Sequence, residues 1–304
     1  MSDTFEVIDC LDRDAWLKER RSGIGASEAA AVLGASPWKT AADVWAEKVG
    51  IAEARAAETE AMKWGLRLEP AIADAYMEET GRIVVRGDSP YRLLRAKKHP
   101  FLLATLDGEV VPIDERGPGV FECKTAALWK KDDWADEPPL QYSIQNQHQL
   151  VVTGYGWGAD AVLIGGQRFL HTDFVGNAGF QSLLIQKLEA FWELVVKEQP
   201  PPLDGSESAK ELLSRLFPRP EPGKVIELPQ EAIMWDQELL DVKEVLKIHE
   251  DRKRELENQI KAALGDAEGG VLPDGTAYVW RLIQKKEYVV KATEYRELRR
   301  KALK

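Results

Sequence analysis

The stretch Gly119-Val120-Phe121-Glu122-Cys123-Lys124-Thr125 constrains this chain more than any other. Val120 and Phe121 predict a strand entering a core, yet an acid and a base follow two residues apart. Side chains on a strand alternate between faces, so Glu122 and Lys124 share one face while Cys123 takes the other. Charges in or beside a core require partners or a metal, and the surrounding fold has to supply them. Upstream, the run 101–111 (FLLATLDGEVV) is also β-type, with Asp107 where strand gives way to turn. The Pro- and Gly-rich residues between the two runs predict an antiparallel pair. Two carboxylates with a lysine alongside form a hydrolytic set. The carboxylates suit hard divalent cations, and the lysine positions or helps activate a water. The same spacing also fits a salt-bridged hairpin, with Lys124 on Glu122 or Asp107.

Three further patterns bear on that choice. Glu69 lies on a helix face otherwise apolar at Leu68, Ile72 and Ala73. It reads as a third carboxylate for a cation or as a solvated helix acid. Gln145 and Gln149 in the QNQHQ run are i,i+4 neighbours on one helix face, placed to order water or substrate, or simply surface residues. Arg20-Arg21-Ser22-Gly23-Ile24-Gly25-Ala26-Ser27 brings arginines and backbone N–H groups to a loop-to-helix junction. That is a phosphate seat or an ordinary helix entry. The four histidines are scattered; His148 reads as a helix-surface residue, with substrate contact as the alternative.

Ser27 is the expected N-cap of a short helix that Gly34 ends, and Ser36-Pro37 the expected opening of the next. Residues 60–80 show helical spacing at Leu68, Ile72, Ala75, Tyr76 and Met77, with Gly81 as the stop. Residues 140–153 predict a helix ended by Gly154, 159–166 a buried strand, and 180–196 an amphipathic helix packed on the sheet. Helices, strands, helix, strand and helix give an α/β core with a mixed sheet. The proline-rich stretches at 199–206 and 217–223 read as linkers, dividing the chain into 1–200 and a C-terminal extension, 201–304. The extension predicts a long helix at about 229–264, paired as a two-helix hairpin against the core. Its seam of Leu239, Val242, Leu246, His249, Lys253, Leu256, Ile260 and Ala263 alternates by 3 and 4. A β-hairpin turning at Asp274-Gly275 and a basic terminal helix follow.

Two cysteines, Cys10 and Cys123, exclude a disulfide framework, a four-Cys zinc site and a four-Cys iron–sulfur cluster. The acidic start lacks the features of a signal peptide, and no apolar run approaches the roughly 20 residues needed to span a bilayer. A soluble cytoplasmic protein is the expectation. The net charge of −10 at first argues against nucleic acid, whose affinity rests on Lys and Arg.

The segments RRSGIGASEAAAVLGASPWKT, MKWGLRLEPAIADAYMEETG, LLATLDG…GVFECKT and SIQNQHQLVVTG, in this order, resemble the YqaJ family of phage-type nucleases. This family is similar to lambda exonuclease, within the PD-(D/E)xK superfamily, and the resemblance spans about residues 15–195. It implies a restriction-endonuclease-like core, a mixed central sheet flanked by helices, on residues 1–200. It implies that Glu69, Asp107, Glu122 and the Cys123 carbonyl hold Mg²⁺ or Mn²⁺, two ions per site. Lys124 would orient or activate the water, and Gln145, or Gln147 two residues on, would match the glutamine after the core strands. Ser27, Thr105 and either Arg20 or Arg21 match positions that receive a 5′-phosphate. The Arg-to-Ser spacing is one shorter than the lambda-like pattern if Arg21 is the counterpart, and Thr105 stands where serine is familiar.

The implied activity is a 5′→3′ exonuclease on double-stranded DNA ends. It would leave 3′ tails for a phage single-strand annealing protein, and the enzyme would be a homo-oligomer such as a ring trimer. An endonuclease or single-strand nuclease on the same fold, and a nonenzymatic end-binding protein, are the alternatives. Trp38, Trp45 and Trp64 lie near the motifs; core packing is expected for most, stacking on DNA for one. Charge is unevenly spread: residues 82–98 hold six basic residues against Asp88, and 285–304 hold eight basic against three acidic. Local tracts, not net charge, decide where a phosphate backbone can lie.

Overall fold

The computed structural model describes residues 3–52, 59–89, 91–284, 286 and 295–301. The chain begins with β1 (Phe5–Asp9), α1 (Arg13–Arg20), β2 (Ile24–Gly25), α2 (Ala26–Val32), α3 (Ala41–Lys48) and α4 (Glu60–Thr80). There follow β3 (Val84–Val85), β4 (Arg92–Ala96), β5 (Leu102–Ala104), β6 (Gly108–Val110), β7 (Gly119–Ala126) and a 3₁₀ turn at Leu128–Trp134. Next come α5 (Leu140–Thr153), β8 (Trp157–Ile164), β9 (Arg168–Val175), α6 (Ala178–Val196) and α7 (Glu207–Leu216). Last are α8 (Ala232–Leu264), β10 (Gly269–Val271) and β11 (Ala277–Val279).

Helix ends follow local chemistry. Thr59 accepts from the Met62 N–H at 3.2 Å to open α4, and Gly81, at φ +69°, closes it. Gly154, at φ +73°, closes α5. Two expected starts are displaced. Gly25, not Ser27, occupies the cap of α2, because the Glu28 carboxylate reaches back to accept from the Gly25 N–H at 2.8 Å. Ser36 accepts from the Trp38 N–H at 3.3 Å in a turn, and α3 opens only at the reciprocal Thr40–Asp43 capping box.

The run 101–111 is not one strand of a hairpin. Its first half, β5, belongs to a four-stranded sheet ordered β1-β4-β5-β2, and its second half, β6, to a five-stranded sheet ordered β3-β6-β7-β8-β9. Thr105, Leu106 and Asp107 form the crossing between sheets. Gly108 is required just after it, since a Cβ there would stand 2.7 Å from Val84 Cγ1. In the larger sheet β7 pairs antiparallel with β6 and parallel with β8, so the sheet is mixed, as expected. Ile72, Ala73 and Tyr76 of α4 pack on one face with Val110, Phe121 and Cys123. Helix α5 contributes Ile144 and Val152 to a second core shared with α2, α3, α6 and the smaller sheet. Helix α6 buries Leu184, Leu188, Phe191 and Val195, chiefly against α2, α3 and α5 rather than on the sheet face.

The chain divides into two compact units, Met1–Pro218 and Arg219–Lys304. The break coincides with the second proline-rich stretch, because α7 lies beyond the first and buries Ala209 and Leu212, packing on α3. In the second unit α8 has no buried residue, and β10 and β11 form the expected hairpin. A two-helix hairpin is not formed: α8 is the one helix of this unit among the described residues. Residues 295–301 are non-helical, and the rest of the expected basic helix lies largely outside the described residues. No helix among the described residues is long and apolar enough to cross a membrane.

Candidate active site

The pattern on β7 resolves as alternation requires. Glu122 is 3% exposed and faces α5, whereas Cys123 turns toward α4, with Sγ 3.8 Å from the Glu69 carbonyl. Lys124 Nζ donates to Glu122 Oε1. Gln145 Nε2 donates to the same oxygen at 2.6 Å, and Gln149 Nε2 to Oε2 at 2.6 Å. The i,i+4 pair on α5 therefore joins Lys124 in clasping a buried carboxylate, and Gln149 supplies the donor to its second oxygen. Lys124 Nζ also stands 3.5 Å from Gln145 Oε1 and 5.0 Å from the centre of the Tyr142 ring. Burial works against its charge, but the fields of Glu122 and Asp107 hold its pKa above the ordinary lysine value. Lys124 is thus a donor at neutral pH.

Asp107 enters from the end of β6, where its Oδ2 accepts from the Cys123 N–H at 2.8 Å. A strand residue's N–H and C=O leave by the same edge, so the Cys123 carbonyl is turned toward Asp107 as well. Burial, then the charge of Glu122, pushes the Asp107 carboxyl well above its usual range, with Lys124 opposing and Glu69 adding. Glu69 accepts from Arg86 Nη2 at 2.9 Å, and burial raises its pKa despite that partner. Three carboxylates thus sit within one another's field, with Lys124 and Arg86 as the nearby cations. Hard oxygen donors under mutual repulsion are the chemistry that suits a divalent cation. Among the described residues no three His, Cys, Asp or Glu side chains form a ready-made cage. The oxygens of Glu122 and one of Glu69 are instead held by protein donors.

A second constellation forms at the start of α2. Arg20 Nη2 donates to Ser27 Oγ at 3.4 Å, and its guanidinium lies 4.7 Å from the centre of the Trp16 ring. Trp16 Nε1 donates to Thr105 Oγ1 at 3.3 Å, so Arg20, Ser27 and Thr105 are gathered around one indole. Arg21 is exposed where α1 ends; the arginine that reaches Ser27 is Arg20. Beneath them Glu28 is buried, with Lys48 Nζ at 2.7 Å, Arg20 Nη2 at 3.3 Å and Lys39 Nζ at 3.9 Å. Lys48 also donates to the Arg20 carbonyl at 2.7 Å. Sequence reading missed this Glu28–Lys48 pair; the signal was an acid in a run of alanines.

Other expectations are corrected or refined. His148 is not a surface residue: it is fully buried, and its Nε2–H donates to the Leu103 carbonyl at 3.1 Å. Burial lowers its pKa to about 4, so it stays neutral and holds α5 to β5. Gln147 is taken up elsewhere. It donates to the Val175 carbonyl at 2.8 Å and accepts from the Asn177 N–H at 2.9 Å, tying α5 to the start of α6. Asp160, aligned with Glu122 on β8, was not anticipated. It accepts from Asn146 Nδ2 at 2.6 Å, and burial raises its pKa to about 7 with Glu122 adding. In the basic tract 82–98 the four arginines are paired with acids, while Lys97 and Lys98 are exposed. Arg82 is paired with Asp173, Arg86 with Glu69, Arg92 with Glu109, and Arg95 with Glu6 and Glu19.

This architecture is the PD-(D/E)xK fold. The alkaline exonuclease LHK-Exo of Laribacter hongkongensis superposes with a TM-score of 0.52 at 21% identity, covering 67% of this chain and 100% of that one. Its complex with dAMP gives the same score and identity, with 98% of that chain covered. In sequence, the YqaJ-like viral recombinase domain family matches residues 15–156, which hold both constellations. Protein YqaJ of Bacillus subtilis (strain 168) is 34% identical over 266 residues, 86% of this chain and 81% of that one. The chain belongs to the YqaJ family. So large a share of the chain exceeds the first unit, so the likeness to the Bacillus relative runs into the second.

Proposed function

We propose that this chain is a metal-dependent nuclease that resects double-stranded DNA ends 5′→3′, leaving 3′ single strands for a single-strand annealing partner. The observation that carries this is the convergence of Glu122, Lys124, Gln145 and Asp107 at the end of β6, with Glu69 alongside. A protein that only bound ends has no use for buried carboxylates that repel one another. Glu69, Asp107, Glu122 and the Cys123 carbonyl would hold Mg²⁺ or Mn²⁺, two ions in this reading. Bound there, such ions supply charge stabilisation to the attacking and leaving oxygens of a phosphodiester.

The chain's own groups do the rest. Lys124, protonated, orients the water by donation, while Gln145 and Gln149 fix the carboxylate that the lysine leans on. Arg20 and Ser27, with Thr105 nearby, receive the 5′-phosphate of the strand being cut, so the reaction starts from an end. The dAMP held by LHK-Exo is a 5′-mononucleotide, the product such cleavage releases, and supports this reading. The proposal includes a homo-oligomer, a ring trimer threading duplex, acting in the cytoplasm of a phage-bearing cell.

End chemistry tests it. A duplex with 5′-phosphate ends is expected to be degraded at least about tenfold faster than its 5′-hydroxyl counterpart, the size of one charge-assisted contact. Arg20→Gln should erase that difference. Equal rates on the two duplexes for the unmodified protein would contradict the phosphate seat.

A further inference from the structure

We infer that Trp38 is a stacking platform for an unpaired nucleobase beside the cleavage point, an inference that rests on the nuclease reading above. Of the tryptophans near the motifs, Trp45 is core: it is buried, and its Nε1 donates to the Leu194 carbonyl at 3.3 Å. Trp38 is different, with 62% of its surface open to water. An indole held in water costs free energy that folding does not recover, and it is common where a flat ligand covers it.

Its mounting is rigid. Pro37 fixes the preceding φ, Ser36 Oγ accepts from the Trp38 N–H at 3.3 Å, and the next residue, Lys39, is bound to Glu47 at 2.6 Å. Its position is specific too. The Trp38 ring centre lies 6.1 Å from that of Tyr142, and Tyr142 stacks on Trp134 at 5.3 Å and 26°. Trp134 is 9% exposed and packed with Val162 and Ile164 of β8, which anchors the series in the core. Tyr142 is also the ring beside Lys124 Nζ. The exposed indole is therefore one aromatic ring away from the catalytic lysine.

Trp64 is also exposed, with Arg67 above it at 5.1 Å, but both lie on α4 and, among the described residues, no ring series leads from them to the site. Every base has a π-face, so stacking suits an enzyme that must accept any sequence at the end it trims. A strand whose phosphate is held by Arg20 and whose backbone passes Lys124 has to part from its complement. Trp38 supplies a surface for the base that loses its pairing partner.

The test uses 5′-phosphorylated duplexes bearing either ordinary nucleotides or abasic residues at the first two positions of the 5′ strand. Trp38→Ala is expected to raise KM on the base-bearing duplex about tenfold, the size of one base–aromatic stack. kcat should hardly change, and Trp38→Phe should restore most of the loss. On the abasic duplex the unmodified protein and Trp38→Ala should behave alike. Equal KM for the two proteins on base-bearing ends, or equal losses on both duplexes, would overturn the platform. If the unmodified protein cuts no duplex, the nuclease reading fails instead. Tryptophan quenching by oligo-dT against an abasic oligomer then decides, and equal quenching with and without Trp38 overturns the platform. Melting temperature serves as the folding control, since the replaced ring is exposed.

Discussion

Asp107→Asn is expected to lose DNA cleavage by at least about a hundredfold while its melting temperature stays level or rises. The two halves of this result have one cause. Burial and the neighbouring charges of Glu122 and Glu69 raise the Asp107 pKa well above its usual range. A carboxylate whose pKa is raised by folding subtracts from stability as pH climbs above its ordinary value, because the fold disfavours its charged form. Asparagine keeps an oxygen for the Cys123 N–H, at 2.8 Å in the native site, and removes the repulsion. A variant that is inactive yet no less stable would be the signature of a residue kept for chemistry. Lys124→Ala should be equally inactive, for a different reason: Glu122 loses its cation, and the water its orienting donor. Circular dichroism of each variant should match the native spectrum. Appreciable turnover by either would refute the assignment of these residues.

The largest loss of stability is expected at Lys48. This lysine's side chain is 2% exposed and pairs with the buried Glu28 at 2.7 Å, so Lys48→Met leaves an acid in the core with the Gly25 N–H and, as cations, the more distant Arg20 and Lys39. Breaking a buried pair in this way costs about 3 kcal/mol or more, read by urea unfolding. Lys48→Met with Glu28→Gln should recover part of it, since no orphan charge remains. Burial alone would raise the Glu28 carboxyl, but the fields of Lys48, Arg20 and Lys39 overcome it and hold the pKa down, at about 2 against an ordinary 4.5. A depressed carboxylate adds stability that is fully present above pH 4.5 and lost as pH falls toward about 2. The gap between the native protein and Glu28→Gln should therefore narrow over that interval. A gap independent of pH would mean the pair contributes nothing through charge. Lys48 also holds the Arg20 carbonyl, so the same variant should blunt the preference for 5′-phosphate ends.

Much of the site was legible because it rests on short-range geometry. Period two on β7 put Glu122 and Lys124 on one face, and the four-residue step on α5 put Gln145 and Gln149 on another; the structure joins the two faces. Gly81 and Gly154 ended their helices because a left-handed residue there leaves the chain no helical continuation. What stayed hidden depends on partners distant in sequence. The run 101–111 looks uniformly β-type, and only the tie from Asp107 to Cys123, with the division of strands between two sheets, shows that it crosses over. His148 sits in a polar run yet is buried, because the smaller sheet offers the Leu103 carbonyl. The arginines of 82–98 looked like a cationic tract, and acids from α1, α4, β1, β6 and β9 neutralise them. Charge counted along the chain does not reveal such pairing.

The central claim is that this carboxylate–lysine cluster hydrolyses DNA from its ends with a divalent cation. Release of acid-soluble 5′-mononucleotides from 5′-phosphorylated linear duplex, set beside covalently closed circles, measures it directly. The account predicts steady release from linear DNA in Mg²⁺ or Mn²⁺, none in EDTA, and intact circles throughout. Cutting of closed circles, or release that persists in EDTA, would contradict it.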